Sequence, residues 1–504
     1  MNQNQKGRAP EDDFQKDGQF KRTMKRSFWE NLKKSDIFHT LSHAKNYLSA
    51  GIAVNAIGFI SIPVYSRLFS QSDYGVVSVF NAYIGIITII LSLNAHTSIG
   101  RYYYENKDNY KEFLGTSMIV VGVIFSIMSL ISLLFKDQIS QIINLPPHLL
   151  KYMIVISLFF IIYNIYYQIL IPRKKSREAS ILSIIKGYSG FIIAVPIILL
   201  MKENRYMGQI WASLLTGLFI SIVISRRIHK QITFIFNPEH LKYIVNYSFP
   251  LIPYALSGVI LSQFDRIMIN KIVDTSSAGL YSMGYNVGML ILLLSTALRT
   301  ATLPDFFKFQ DNGEYKRLDD LIKKTFSLIL ITALGMVFFA REMVLVLSDK
   351  KFHEALSIVP IVVTGYIFFE MSNIHSVFFG YEKKTVFVSF VVLFSGVCNI
   401  ILNAVYIPRY GYVAGAYTTV ASYFIMFILN IILVRIFTKS RLIPLRLTVS
   451  RFLVFALFVA LFAWLKGYSL SFLPFSALKI LMIGLFSLII LPGEAKGILK
   501  GLKS

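Results

Sequence analysis

Seven ionisable side chains sit where an apolar chain should have none: Arg67, Arg101, Lys186, Asp265, Arg266, Arg299 and Glu370 lie inside, or at the ends of, long apolar runs. A charge at the centre of a hydrocarbon layer costs roughly 2.5–3.5 kcal/mol on insertion scales, so each needs a partner, a wet cavity, or a stem long enough to reach the interface. Lys186, in ASILSIIKGYSGFIIAVPIILLM, is about seven residues past the start of its run, hence roughly 10 Å deep at 1.5 Å per residue. Its stem can snorkel back, or its ammonium can line a cavity open to one side. Glu370, in VVTGYIFFEMSNIHSVFFGY, is too short to reach either interface and must face the bundle interior. There a carboxyl serves as a structural hydrogen-bonding group or as a proton site for ion coupling. Asp265 and Arg266 are adjacent in SQFDRIMINKIVD. They read either as an interfacial anchor whose charges partly cancel, or as a carboxylate orienting a cation beside a transport path. Arg101 opens RYYYE after one run and Arg299 falls near the end of another in STALRTATLP, while Arg67 in PVYSRLF holds a comparable place on the opposite side. Each anchors a boundary or lines the mouth of a cavity.

The elements that position these residues follow from composition. Of 504 residues, 55% are hydrophobic and 15% charged, and mean hydropathy is +0.59, which places the chain among all-α integral membrane proteins. Apolar runs long enough to cross a ~30 Å hydrocarbon core recur about fourteen times between residues 45 and 491, with twelve or thirteen as alternatives. Residues 1–43 are polar and lack the order of a secretory signal, so they read as a retained basic cytoplasmic tail. With that tail inside, most of the 51 Lys and Arg fall on the inner side, in loops such as IPRKKSRE and SRRIHK, and both termini are cytoplasmic. The net charge of +24 is then mainly topology, with some attraction to anionic membrane lipids, and calls for no nucleic acid. A lone Cys398 excludes an intramolecular disulfide framework and a CxxC metal site.

The chain repeats itself. QSDYGVVSVFNAY (71–83) matches TSSAGLYSMGYNV (275–287), with Gly75 over Gly279 and Ser78 over Ser282; ENRYMGQIWASL matches PRYGYVAGAYTTV, with Tyr206 over Tyr412. Similar offsets across an even number of crossings predict two six-helix lobes of the same orientation, 44–232 and 233–440, around a cavity on a two-fold axis along the membrane normal. Residues 441–504 then form an appended helix pair and tail. Pro250 and Pro253 predict a bend early in the seventh span, and Gly284 with Gly288 a close helix contact.

No GxxxxGK[ST] loop and no HExxH occur in the sequence, and the outer loops are short, which disfavours an enzyme with a catalytic loop domain. The succession SRLFSQSDYGVVSVFNAY, SIGRYYYE, SFPLIPYALSGVILSQFDRIMINKIVDTSSAGLYSMGY and GYVAGAY resembles Wzx-type polysaccharide biosynthesis flippases, the polysaccharide branch of the multidrug/oligosaccharidyl-lipid/polysaccharide exporter superfamily. The resemblance implies a flippase, not an enzyme, that moves undecaprenyl-pyrophosphate-linked oligosaccharide from the cytoplasmic to the outer leaflet of a bacterial inner membrane by alternating access. It further implies H+ or Na+ coupling without a cofactor, and polysaccharide assembly proteins as neighbours. A pyrophosphate needs Arg or Lys in a water-accessible site, so Arg67, Arg101, Lys186, Arg266 and Arg299 are the expected substrate-binding residues, with Asp265 and Glu370 orienting or coupling. A cation-coupled small-molecule exporter and a membrane glycan polymerase or ligase are the alternatives.

Overall fold

The structure, a computed structural model, describes residues 51, 53–54, 56–439, 443–465 and 472–491. The tails expected at 1–43 and beyond 491 lie outside the described residues. Among the described residues, twelve helices are long and apolar enough to cross a membrane, and two shorter apolar helices, Ala56–Leu68 and Ser476–Ile490, stand where the first and last crossings were expected. In chain order these are spans one to fourteen, and among the described residues there is no strand. The reason is general: in hydrocarbon every backbone group must find its partner within the protein, and a helix does so within one segment.

Span two (Gln71–Ser92) and span eight (Thr275–Asp311) carry the first repeat. Both begin on a matched cap, Ser70 accepting from Asp73 N and Asp274 accepting from Ser277 N, which satisfies one of the orphan amides of each first turn. A Cβ built on Gly75 would stand 1.9 Å from Thr275 O, and one built on Gly279 would stand 2.0 Å from Gln71 O. The contact is reciprocal, as a two-fold axis between repeats requires, and only glycine lets two helix starts approach so closely. Around this crossing the same end of the bundle is stitched further: Ser66 Oγ donates to Leu347 O at 3.4 Å and Gln71 Nε2 to Lys351 O.

Span seven (Pro238–Ile272) breaks at the expected prolines. A helix over Pro238–Ser248 gives way to a 3-10 turn at Phe249–Leu251 and resumes at Ile252, because proline brings no amide hydrogen to the ladder. Gly284 and Gly288 of span eight abut the start of span ten (Lys350–Tyr381): added Cβ atoms would meet Ala355 O and Val362 Cγ1, each at 2.7 Å. Spans thirteen and fourteen dock on span nine (Tyr315–Phe338) and its continuation. Arg451 Nε donates to Ser327 Oγ at 3.0 Å, and Lys479, 2% exposed, pairs with Glu342 at 2.6 Å.

Candidate functional site

Asp265 and Arg266 do not neutralise each other. Consecutive residues on a helix are turned by about 100°, and no ion pair joins these two among the described residues. Asp265, 1% exposed, faces spans eight, eleven (Val386–Tyr410) and twelve (Val413–Phe437). Its Oδ2 accepts from Tyr281 OH at 2.6 Å and from Thr419 Oγ1 at 2.5 Å, and its Oδ1 from Asn403 Nδ2 at 2.6 Å. Asn403 Nδ2 also donates to Asn399 Oδ1 at 3.0 Å, and Asn403 Oδ1 accepts from Thr418 Oγ1. Three donors satisfy a carboxylate without a basic side chain, which is how a buried acid is held in place inside a helical bundle. The expectation that Asp265 balances Arg266 is thus replaced by a separate polar network.

That network makes a prediction. Asp265→Asn sets an amide nitrogen against groups that themselves donate, and one unsatisfied buried contact costs about 1–3 kcal/mol. The thermal midpoint of the variant in detergent should fall accordingly, while Arg266→Gln, which does not touch the network, should leave it closer to wild type.

Arg266 turns toward span eight and, through Asn286, toward span two. Its Nη2 donates to Asn286 Oδ1 at 3.2 Å, its guanidinium carbon lies 5.2 Å from the Tyr285 ring centroid, and Asn286 Nδ2 donates to Tyr74 OH of span two at 2.8 Å. The cation therefore stands where the two repeats meet, close to the glycine crossing. Its Nε is buried without an acceptor among the described residues, which leaves donor capacity for an anion. Below it, Tyr366 OH donates to Tyr285 OH at 3.1 Å, and the Tyr285 and Tyr423 hydroxyls are 3.4 Å apart.

Arg299 and Glu370, expected in separate roles, form one pair. Arg299 Nη1 lies 3.1 Å from Glu370 Oε1 and 3.0 Å from Oε2; the arginine side chain is 35% exposed and the glutamate 2%. The deep carboxylate is thus answered by a cation on span eight, and both line a small cavity of about 50 Å³ with Thr302 and Thr325. Such a pair has two uses for its arginine, the carboxylate or an arriving anion.

Lys186 faces away from the contact between repeats. It lies in span five (Ser176–Leu200), lining a pocket of about 90 Å³ with Tyr163, Ser213 and Thr216 of spans four and six. Its Nζ stands 4.1 Å from the ring centroids of both Phe160 and Tyr163. Two aromatic faces solvate the ammonium by cation–π attraction, a partner that neither snorkelling nor a cavity open to one side had supplied. Arg67 is exposed and caps carbonyls, Pro63 O at 2.7 Å and Val346 O at 3.4 Å.

Arg101 lies on a short helix, His96–Glu105, at the opposite end of the bundle. It pairs with Glu105 at 2.6 Å, the two side chains being 59% and 39% exposed, and Glu105 also accepts from Tyr243 OH at 2.7 Å. The hydrogen bond from Tyr243, then the one from Arg101, hold the Glu105 carboxyl below its ordinary range. Exposed pairs contribute little to folding, so Arg101→Ala should leave the thermal midpoint at its wild-type value. Any loss of cellular activity in that variant then reports on function and not on folding.

Sequence reasoning did not single out Tyr74, Asn286, Asn399, Asn403, Thr418, Thr419 or the tyrosine trio. The signal was present in part: Asn399 and Asn403 are four apart, on one face of an apolar span, where paired amides need an interior partner.

The putative protein 1 of the Lsg locus of Haemophilus influenzae is 23% identical over 347 residues, 65% of this chain and 84% of that protein. The probable low-salt glycan biosynthesis flippase Agl15 of Haloferax volcanii is 21% identical over 395 residues, 76% of this chain and 80% of the relative. Among solved structures, the lipid II flippase MurJ in an inward closed conformation superposes with a TM-score of 0.74 over 90% of this chain and 99% of its own, at 16% identity, which establishes a shared fold. Residues 44–310 match the model of one family, covering the first repeat, the glycine crossing, Asp265 and Arg266, and the start of the second repeat. The chain belongs to the polysaccharide biosynthesis protein family.

Proposed function

We propose that this protein is a flippase carrying undecaprenyl-pyrophosphate-linked oligosaccharide from the cytoplasmic to the outer leaflet of a bacterial inner membrane, by alternating access, for cell-surface polysaccharide assembly. The observation that carries this reading is Arg266: a cation with a buried, unanswered donor at the meeting of two repeats, in a chain of the polysaccharide biosynthesis family. A relative named as a glycan biosynthesis flippase and a fold shared with a lipid II flippase support it.

On this reading residues 44–232 and 233–440 are lobes that rock about the Gly75 and Gly279 crossing, with 441–504 as an appended unit. Both termini are cytoplasmic, and the crossing lies at the outer end. Arg266 and Arg299 then receive the pyrophosphate in turn, Arg299 by exchanging Glu370 for the ligand. Arg101 gathers the anion at the inner mouth, Arg67 assists at the outer end, and Lys186 supplies positive potential from within the first lobe. Asp265 with its neutral oxygens, and Glu370 when its arginine is engaged elsewhere, are the two places where H+ or Na+ would couple to the cycle. Membrane lipids and polysaccharide assembly proteins surround it, and nucleic acid has no part.

The test is cellular. Loss of the gene should leave the lipid-linked repeat accumulated on the inner face and no surface polymer, both restored by the wild-type chain. Drug sensitivity with normal polymer would favour a small-molecule exporter, and flipped but unpolymerised glycan a polymerase or ligase.

A further inference from the structure

We infer that the cavity enclosed by spans seven, eight, ten, eleven and twelve is a carbohydrate subsite, holding the leading sugars of the lipid-linked glycan while Arg266 holds its anion; this rests on the flippase reading. The cavity measures about 420 Å³ and is lined by Tyr254, Ser262, Tyr366, Asn373, Tyr423 and Asn430 among apolar neighbours, with no charged residue in its wall. That volume falls in the usual range for small-ligand sites, roughly 300–1,000 Å³.

Two amide atoms in the lining residues lack partners. Asn373 Nδ2 and Asn430 Oδ1 are buried and make no hydrogen bond among the described residues, although Asn430 Nδ2 is committed to Ser372 Oγ. A lone buried donor and a lone buried acceptor each cost free energy, and a sugar hydroxyl, both donor and acceptor, answers either. Aromatic rings supply the other half of such recognition, since one face of a pyranose is a patch of C–H groups that rests against a ring. The chemistry thus favours a neutral polyhydroxylated ligand over an organic cation, for which the wall has no carboxylate.

The cavity is also connected to the cation. Tyr366 and Tyr423 form part of its wall, and their hydroxyls meet the hydroxyl of Tyr285, over whose ring the Arg266 guanidinium sits. An anion at Arg266 and a sugar in the cavity would be separated by this tyrosine trio, an arrangement suited to a ligand whose glycan and pyrophosphate are joined.

The experiment uses the full-length protein in lipid nanodiscs with two probes, bare undecaprenyl pyrophosphate and the glycan-bearing lipid extracted from the source cells. Asn373→Leu, which removes an amide without a side-chain partner, should weaken binding of the glycan-bearing lipid about tenfold and leave the bare lipid unchanged. Asn430→Leu should do the same and serves as the second variant if the first expresses poorly. Unchanged binding of both lipids, or an equal loss for both, would overturn the subsite while the flippase reading stands. Failure of the wild-type protein to bind either lipid would remove that reading and the subsite with it.

Discussion

Replacing Arg299 with alanine should destabilise the protein by about 2–3 kcal/mol and abolish polymer output, and the two losses should come apart in the double variant. Removing one partner of a fully buried ion pair costs about 3–5 kcal/mol because the other charge is stranded; Arg299 is 35% exposed, so water on its side reduces the figure. Glu370, 2% exposed, is the group that would be stranded. Glu370→Gln keeps an acceptor for the guanidinium and should fall less. Arg299→Leu with Glu370→Leu removes both charges and fills the small cavity, so most of the thermal midpoint should return. Output should stay absent, because the substrate still lacks its cation. Additive midpoints across this cycle would mean the pair has no coupling energy, and normal output from the double variant would remove Arg299 from the transport path.

A larger structural effect is expected at the glycine crossing. Gly75→Ala and Gly279→Ala each drive a methyl against a backbone carbonyl, at 1.9 Å and 2.0 Å, and a carbonyl cannot rotate aside as a side chain would. Overpacking usually costs about 1–3 kcal/mol and occasionally more; each variant should reach the top of that range. Since the two clashes are halves of one contact, separation of the helices relieves both. The double variant should therefore lose much less than the sum of the singles, as read from thermal midpoints in detergent. Strict additivity, or singles within about 0.5 kcal/mol of wild type, would contradict the reciprocal contact.

That crossing also shows how far the sequence could be read. The match of Gly75 to Gly279 named the residues and the offset of the repeat, because a position that excludes every side chain leaves its mark in residue type. The bend at Pro250 and Pro253 was legible for the same reason. The spans were legible as well, since a hydrocarbon layer leaves its thickness in the length of the apolar runs, although the first and last helices are short among the described residues. What sequence could not supply was azimuth. Depth along a span is a matter of counting, but which way a side chain points depends on packing. Asp265 and Arg266 are adjacent in sequence and diverge; Arg299 and Glu370, 71 residues apart, meet. Lys186, expected to snorkel or to line a cavity open to one side, stands against two aromatic rings. Asn286 and Asn403 carry no charge, so the rule that marks ionisable groups at membrane depth passes over them, and they organise the charges.

On the flippase reading, Arg266, where the two repeats meet, and Arg299, within the second repeat, move a lipid-linked anion across the membrane. Reconstitution of the purified chain into liposomes loaded with labelled glycan-bearing undecaprenyl pyrophosphate, with label accessibility followed on the opposite face, tests it most directly. The wild-type protein should transfer the label, and Arg266→Ala and Arg299→Ala should each reduce transfer at least tenfold, about 1.4 kcal/mol or more in transport barrier, while Arg266→Lys retains part of it. Transfer by Arg266→Ala and Arg299→Ala at the wild-type rate, or none by the wild-type protein, would contradict it.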